Sequence, residues 1–301
     1  MPLNRIVCVG DVMVDVLARL PGPLAIGSDT PAPIALLGGG SAANTAAWLA
    51  AAGARVTLIA RVGDDALGRS AVAELAAAGV DLAVTVDPDR PTGTCIVLVD
   101  PAGERTMVPA AGANESVGDI LPAVSVGEQL HVSGYPLLRA TSSAAVAAAL
   151  TRARTAGASV SVDAASAAPL RDFGARRFLD LIGAALLFAN ADEATVLTGV
   201  DDPGEAARRL GARCGQAIVK CGADGAMWSD GASLTRTSVH RVQPVDSTGA
   251  GDAFAAGVLA AFARSADAPA ALYAGHEFAS RAIASAGARP QAGSSGPTWT
   301  A

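Results

Sequence analysis

The chain has 301 residues, of which 51% are hydrophobic, so it can bury one large α/β core or two ordinary domains. A net charge of −6, the lack of any basic cluster and an aromatic content of only 4% argue against a nucleic-acid partner. The four cysteines are scattered and form no Cys-x-x-Cys pair, which favours a reducing compartment. Glycine, proline and acidic residues interrupt the apolar runs, so we expect no signal peptide, no membrane span and a cytoplasmic location.

The first buried strand is predicted from Arg5 to Val9, and two aspartates, Asp11 and Asp15, follow its carboxyl end. Strands of α/β proteins present ligand-binding residues at this end. The two carboxylates therefore suit the hydroxyl groups of a sugar-like ligand, although the same residues also suit an ordinary turn.

Four short strands lie outside any alternation with helices. The segments Val16–Leu20 and Ile34–Leu37 are separated by a loop rich in proline and glycine. The segments Thr94–Asp100 and Arg105–Val108 flank the sequence Pro-Ala-Gly-Glu, which predicts a hairpin. Together these strands predict a small sheet that projects from the main body.

Between these strand pairs, the three glycines Gly38 to Gly40 and the nearby Asn44 open a helix that is predicted to reach about Ala52. Glycine allows a ligand to come close to the backbone. A strand and a loop follow over residues 53–68.

From Ala71 onward, helices alternate with strands, which predicts a mainly parallel sheet with helices on both faces. The predicted helices are 71–78, 144–153, 178–182 and 203–210, and the predicted strands are 130–132, 160–162, 185–188 and 217–219. An extended run from Val239 to Val245 follows, and an apolar helix is predicted from Ala253 to Ala263.

Polar residues follow two of the later strands. Asn190 and Glu193 come after an apolar run at the start of a helix, where Asn190 also suits a helix cap. The turn from Lys220 contains Gly222 and Gly225, which give room for a ligand near the backbone. Because Lys220 is the only lysine, the chain has no Gly-Lys-Ser/Thr phosphate-binding loop.

The segment Asp246-Ser-Thr-Gly-Ala-Gly-Asp252 is the clearest candidate site. Gly249, Ala250 and Gly251 lead into an apolar helix, so backbone N–H groups and the positive end of the helix dipole point to one place. That arrangement binds phosphate-like anions, and Asp252 beside it is placed to accept a proton from a hydroxyl group. Phosphoryl transfer to an alcohol requires this pairing of an anion site with a base.

This segment resembles the C-terminal signature of ribokinase-like (PfkB) sugar and nucleoside kinases. Gly39, Gly40 and Asn44, with the residues up to Gly68, are similar to the N-terminal signature of that family. The resemblance implies a ribokinase-like three-layer α/β sandwich with a mainly parallel central sheet and a small β-sheet lid. It places the main domain at residues 1–10, 38–90 and 111–301, and the lid at residues 11–37 and 91–110. It also implies a homodimer formed through the lid.

The resemblance further implies an ATP-dependent kinase with Mg²⁺, and it assigns roles to individual residues. Asp252 would be the base, and the amides of Gly249, Ala250 and Gly251 would hold the transferred phosphoryl group. Asp15, favoured over Asp11, would bind the acceptor with Gly39, Gly40 and Asn44. The expected nucleotide-binding residues are Asn190, Lys220, Gly222, Gly225, Thr248 and Ser280. Asn190 and Glu193 would hold Mg²⁺ through water, and Asp246 is a candidate ligand, with Thr248, for a monovalent cation such as K⁺.

Three positions bear on the acceptor. Ribose kinases usually have asparagine before the sugar-binding aspartate and lysine after the two glycines, whereas this chain has Val14 and Ser41. Tyr135, with Ser133 and Gly134, stands where an acidic residue is expected. These changes remove polar contacts to a small free sugar and favour a ribonucleoside-like acceptor such as pseudouridine.

Other acceptors and other functions stay open from the sequence. Ribose or a hexose is an alternative acceptor. A vitamin-type kinase of the same superfamily is a second alternative, which the predicted lid strands argue against. A non-catalytic sugar or nucleoside sensor is a third, which the intact Asp252 argues against.

Overall fold

The computed structural model describes residues 5–117, 123–239 and 245–290. Its strands, in chain order, are β1 (Ile6–Val9), β2 (Met13–Arg19), β3 (Ile34–Gly39), β4 (Val56–Gly63), β5 (Asp81–Asp87), β6 (Gly93–Val99), β7 (Arg105–Ala110), β8 (Gln129–Ser133), β9 (Ser159–Asp163), β10 (Ala185–Asn190), β11 (Gly215–Lys220), β12 (Ala226–Ser229) and β13 (Leu234–Thr237). In the described residues, nine of them form a main sheet in the order β13-β12-β11-β10-β9-β8-β1-β4-β5. Neighbours from β11 through β5 are parallel, whereas β12 and β13 add antiparallel at one edge.

Helices cover both faces of the main sheet. In chain order they are α1 (Ser41–Ala51), α2 (Ala66–Ala77), α3 (Tyr135–Leu138), α4 (Ser143–Thr155), α5 (Ala167–Phe173), α6 (Ala175–Ile182), α7 (Ala191–Thr198), α8 (Pro203–Cys214), α9 (Ala250–Phe262) and α10 (Ala268–Ile283). One core cluster joins the sheet to α1, α2, α9 and α10, and a second joins the opposite face to α3 through α8. The predicted three-layer α/β fold is therefore confirmed.

The strand β1 shows why the central strands read as continuous apolar runs. Ile6 and Cys8 belong to one core cluster, whereas Val7 and Val9 belong to the other. Successive side chains of a strand point to opposite faces, and helices cover both faces of this sheet, so every position is buried.

A separate four-stranded sheet has the order β3-β2-β6-β7. Its pairs are antiparallel except for β2 with β6, which is parallel. Met13, Leu17, Cys95 and Val97 form a small core of their own on one of its faces. We call this unit the small sheet.

The structure differs from the sequence prediction at several strands. The strand predicted from Val16 begins at Met13, so Asp15 lies within the small sheet instead of in a turn. The strand predicted to end at Leu37 runs to Gly39, and α1 begins at Ser41. The strands β5, β12 and β13 were not predicted, because they lie at or near the sheet edges, where the strands are only partly buried and the apolar signal is weak.

Some predictions fall outside the described residues. Most of the extended run predicted from Val239 to Val245 does so, as does the end of the predicted main domain beyond residue 290. All four cysteines are free thiols, as expected. In residues 5–117, 123–239 and 245–290, no helix combines the length and the hydropathy needed to cross a bilayer.

The parallel pairing brings polar residues from distant parts of the chain to one edge of the main sheet. The residues that end or follow β1, β8, β9, β10 and β11 are Asp11, Ser133, Asp163, Asn190 and Lys220. Because carboxyl ends of parallel strands meet at the same edge, this edge is where a ligand site is expected.

Candidate active site

The first turn of α9 faces this edge. Its N-cap, Gly249, has a left-handed backbone with φ 72°, and a side chain there would collide with Ala288 at 2.6 Å. The amide of Ala250 donates to the carbonyl of Ser247 over a long 3.3 Å, and N–H groups of a first helical turn have no partner within the helix. The turn therefore presents a positive dipole end to the site, as the sequence predicts.

Asp252 lies in this first turn, and α1 faces it. Its Oδ1 accepts a hydrogen bond from Ser41 Oγ at 2.8 Å, and its Oδ2 accepts one from Asn44 Nδ2 at 2.8 Å. Burial raises the pKa of Asp252 to about 7, against the lowering effect of these two hydrogen bonds. The structure thus brings two predicted site residues, Asp252 and Asn44, into direct contact. The pKa of the Asp252 carboxyl group lies near neutral pH.

The other predicted acceptor residues lie beside this pair. Asp15 is 7% exposed, and burial raises its pKa to about 6, with Arg289 opposing the shift. Gly39 lies directly against the Asp15 carboxylate, so any side chain at position 39 would overlap it. Asp11 is also buried, and its Oδ1 accepts a hydrogen bond from Ser133 Oγ at 3.3 Å. The next glycine, Gly40, is the N-cap of α1.

Arg289, which the sequence did not single out, lies against the same residues and is only 8% exposed. Its Nη2 donates to the carbonyl of Gly39 at 2.8 Å, and its Nε donates to Asn44 Oδ1 at 3.3 Å. Its Nη1 forms an ion pair with Glu74 at 3.0 Å. A lone arginine in a segment rich in Gly, Ser and Pro carries no sequence signal for such a position.

Asn190 and Glu193 form a capping box at the start of α7, so the helix-cap reading of Asn190 is correct in structural terms. Asn190 Oδ1 accepts from the Glu193 amide at 2.8 Å, and Glu193 Oε2 accepts from the Asn190 amide at 2.7 Å. Glu193 is 4% exposed, and burial together with the nearby Asp163 raises its pKa to about 7.

Lys220 ends β11, and its Nζ forms an ion pair with Asp163 Oδ2 at 2.8 Å. Burial opposes the charge of both groups, but each partner stabilises the other, so the pKa of Asp163 is lowered and that of Lys220 is raised. A side chain built on Gly251 would come within 3.2 Å of Lys220 Nζ, which places the ammonium beside the α9 amides. Asp163 was missed, although it follows a predicted strand just as Asp15 does.

A cavity of about 320 Å³ adjoins the first turn of α9. Its lining includes Lys220, Gly222, Gly225 and Ser280, all predicted to bind a nucleotide, and also Phe254 and His276. Thr248 is not among the residues that line it. The glycines leave room next to the Lys220 ammonium and the N-terminus of α9. The cavity can therefore take a ligand with a flat, apolar group at one end and a negatively charged group near Gly251 at the other.

Asp246, the predicted cation ligand, is already surrounded by donors. Its Oδ1 accepts from the Thr248 amide at 2.8 Å and pairs with Arg105 of β7 at 2.6 Å, and its Oδ2 accepts from the Gly287 amide at 3.0 Å. Burial would raise the pKa of Asp246, but these donors hold it below its usual value. The Arg105 guanidinium thus balances the negative charge of this carboxylate.

In the described parts of the chain, no three histidine, cysteine or acidic side chains come together as a metal-binding group. The residues that could hold the waters of a cation such as Mg²⁺ beside a phosphate ligand are Asn190 and Glu193. Both carboxylate oxygens of Glu193 accept from Asn190 and retain lone pairs for metal-bound water.

A family model described as pfkB family carbohydrate kinase matches residues 3–293. The chain belongs to this family. It is accordingly an ATP-dependent kinase of sugars or nucleosides, which confirms the expected enzyme class.

Individual relatives agree on the class and differ in substrate. The chain is 35% identical to an ATP-dependent ribose-1-phosphate kinase of Halopiger xanaduensis over 89% of this chain and 88% of that one. It is similar to the structure of adenosine kinase from Sinorhizobium meliloti, with a TM-score of 0.87 and 25% identity over 97% of both chains. A Vibrio cholerae fructokinase bound to fructose, ADP and calcium aligns with a TM-score of 0.79 and 26% identity over 95% of this chain and 94% of that one.

The raised pKa of Asp252 predicts a stability effect that is separate from activity. A carboxyl group with a raised folded-state pKa favours the fold at low pH, and that contribution is lost as the pH rises through about 7. We therefore expect Asp252→Asn to raise the melting temperature at pH 8 by about 2 °C or more, and by less at pH 5, where the folded state still keeps the group neutral. Differential scanning calorimetry at both pH values measures this.

Asp246→Asn is the matched control, because the pKa of Asp246 is lowered and its charge stabilises the fold at pH 8. It should lower the melting temperature at that pH. Equal effects of the two substitutions would contradict the burial of an unfavourable charge at position 252.

Proposed function

We propose that this kinase transfers the terminal phosphoryl group of ATP to a hydroxymethyl group of a nucleoside-like acceptor, with Asp252 as the general base. The observation that carries this proposal is the position of the Asp252 carboxylate. It lies in the first turn of α9 beside the amides of Gly249, Ala250 and Gly251, and it contacts Asn44 of α1. One group thus borders both an anion site and the residues predicted to bind an acceptor.

In the reaction, ionised Asp252 accepts the proton of the hydroxymethyl group as its oxygen bonds to phosphorus, and ADP leaves with the bridging oxygen. The amides of Gly249, Ala250 and Gly251 stabilise charge on the transferred group. Lys220 adds positive charge at the same place, since its Nζ lies near Gly251 and is held by Asp163. Because the pKa of Asp252 is about 7, the base is substantially ionised at neutral pH.

The nucleotide would lie in the cavity next to α9, with its base near Ser280 and its phosphates near Lys220, Gly222 and Gly225. Asn190 and Glu193 would hold the waters of a Mg²⁺ ion, which neutralises phosphate charge when bound with ATP. Thr248 contributes to the turn because its backbone N–H donates a hydrogen bond to Asp246 Oδ1. With an ATP-dependent reaction and four free thiols, we place the protein in the cytoplasm.

For the acceptor, we propose that Asp15, Asp11, Gly39, Gly40 and Asn44 orient the hydroxyl groups. The sequence offered three reasons for a nucleoside acceptor, which were Val14, Ser41 and Tyr135, and the contacts of the first two make them weaker arguments. Val14 packs into the main core, and the Ser41 hydroxyl donates to Asp252. Tyr135 remains as the reason that favours a nucleoside.

Tyr135 is half-buried, and burial is the main cause that raises the pKa of its hydroxyl. The nearby charges of Asp11, Asp163 and Asp252 raise this pKa further, so the ring lies close to the site. An aromatic ring there suits a planar base, and the likeness to an adenosine kinase supports the same class. Pseudouridine is one nucleoside of this kind.

A free sugar is the second candidate acceptor. The likeness to a fructokinase bound to fructose favours it, as do the carboxylates of Asp11 and Asp15, which suit sugar hydroxyl groups. The two candidates differ in whether the ring of Tyr135 contacts a base.

We also propose that residues 11–37 and 91–110, which include most of the small sheet, form a lid, with the main domain in the remaining ranges 1–10, 38–90 and 111–301. The last two residues of β3, Gly38 and Gly39, fall on the main-domain side of that boundary. Asp15 and Arg105 extend from the small sheet to the site. Its opposite face carries Leu36, Val16, Ile96 and Val108 in register across four strands. Three of these are about half exposed or more, at 61%, 48% and 54% for Leu36, Ile96 and Val108, so this face suits a homodimer.

The substrate prediction is tested with ATP, Mg²⁺ and a panel of ribose, fructose, common nucleosides and pseudouridine. We expect turnover on a nucleoside, and a loss of at least ~10²-fold in kcat in Asp252→Asn with nucleotide binding retained. Tyr135→Leu should weaken the binding of a nucleoside, measured as its KM, more than the binding of a free sugar. Turnover by Asp252→Asn near the wild-type rate would rule out this base, and turnover on free sugars alone would rule out the nucleoside.

The ion pair between Arg105 and Asp246 predicts little dependence on potassium. Turnover should change little when potassium is replaced by a bulky organic cation, because the guanidinium already balances the carboxylate. In Arg105→Met, activation by potassium should appear, whereas Arg105→Lys keeps the charge and should resemble the wild type. Strong potassium activation of the wild-type enzyme would contradict this reading.

The dimer prediction is tested by multi-angle light scattering. The wild type should have twice the chain mass of 29.7 kDa. Ile96→Lys should give a monomer, because it places a charge at the centre of the exposed apolar face. Val86→Lys, on β5 of the main sheet and 54% exposed in the wild type, is the control and should leave the dimer intact. A monomeric wild type would refute the proposal.

A further inference from the structure

We propose that Arg289 is a positioning residue that fixes the orientation of the Asn44 amide and thereby keeps Asp252 ready to accept a proton. The inference rests on the proposed role of Asp252 as base. Arg289 itself contacts neither a reacting atom nor Asp252 directly. It acts through one side chain, Asn44, which lies between the two.

The chemistry of the guanidinium determines which way the amide of Asn44 points. Arginine only donates hydrogen bonds, so the group that faces Arg289 Nε must be the oxygen of Asn44, and it lies at 3.3 Å. The amide nitrogen then points to Asp252 Oδ2 and donates to it at 2.8 Å. In the reverse orientation, an amide oxygen would face the carboxylate and a nitrogen would face the guanidinium, so both contacts would be repulsive.

Arg289 is held in place from several sides. Glu74 pairs with Nη1 at 3.0 Å, and the Gly39 carbonyl accepts from Nη2 at 2.8 Å. Gly38 leaves the space that the guanidinium fills, since any side chain there would overlap Nη1. The preceding backbone is also fixed, because Trp48 Nε1 donates to the Ala288 carbonyl at 2.9 Å. A group that is this constrained can impose an orientation on its neighbour.

The charge of Arg289 acts in the same direction. Burial lowers the pKa of Arg289 itself, and the carboxylates of Glu74, Asp15 and Asp252 oppose that change. The same guanidinium lowers the pKa of Asp15 against the effect of burial. Without Arg289, the site would hold several buried carboxyl groups with less positive charge, and protonation of Asp252 would become easier.

The test is the pH profile of kcat in Arg289→Met. We expect the midpoint of the acidic limb to rise by roughly one pH unit, and kcat at pH 7 to fall about five-fold, following the ionised fraction of a base with a raised pKa. Much of the loss should be recovered at high pH, and the KM for ATP should stay unchanged. A residue with only a structural role would lower kcat equally at all pH values.

Two variants complete the test. Glu74→Gln removes the ion pair but leaves the contact to Asn44, so its midpoint should stay close to that of the wild type. Arg289→Lys keeps the positive charge but loses the planar guanidinium that contacts Asn44, Glu74 and Gly39 at the same time. Its midpoint should therefore lie between those of the wild type and Arg289→Met. If Arg289→Met does not fold by circular dichroism, Arg289→Lys carries the same comparison with the wild type.

An unshifted midpoint in a folded Arg289 variant, with or without loss of kcat, would overturn the inference. The same holds if Glu74→Gln shifts the midpoint as much as Arg289→Met does. Failure of the proposed function has a different signature, because Asp252→Asn would then keep wild-type turnover. An inactive Asp252→Asn together with an unshifted Arg289→Met would refute only the role of Arg289.

Discussion

Asp252 is half-buried, and the loss of water around its carboxylate sets the demands that the surrounding structure meets. An acidic group taken out of water resists ionisation, which is why its pKa rises to about 7. Hydrogen bonds from Ser41 and Asn44 and the nearby charge of Lys220 limit that rise. The Asp252 carboxyl group therefore populates both its neutral and its ionised form near neutral pH.

The parallel sheet supplies the positions from which these groups act. Asp11, Asp163, Asn190 and Lys220 come from chain segments that are far apart in sequence, and the parallel register brings their strand ends to one edge. Asp163 and Lys220 meet the cost of burial by pairing with each other. Each would resist burial alone, and each shifts the other toward its charged form.

Structural and chemical roles coincide at several residues of this edge. The capping box of Asn190 and Glu193 starts α7 and also places a buried carboxyl group at the edge of the main sheet where the polar residues meet. Arg105 ties the small sheet to Asp246 and also balances the charge of that carboxylate. In each case one interaction both stabilises the local fold and sets the electrostatics of the site.

The sequence by itself determined the alternation of strands and helices, the glycine turn before α9 and the position of Asp252 directly after that turn, because these depend on local periodicity and local backbone geometry. It also placed Asn44 and Lys220 at strand and helix ends. Only the tertiary structure decided that Asn44 contacts Asp252, that Asp163 pairs with Lys220, and that Arg289 and Arg105 reach the site. These pairs are separated by between 57 and 245 residues, so no local pattern encodes them. The strands β5, β12 and β13, at and near the sheet edges, were missed for a related reason. Their pairing depends on the neighbouring strands and not on an apolar pattern of their own.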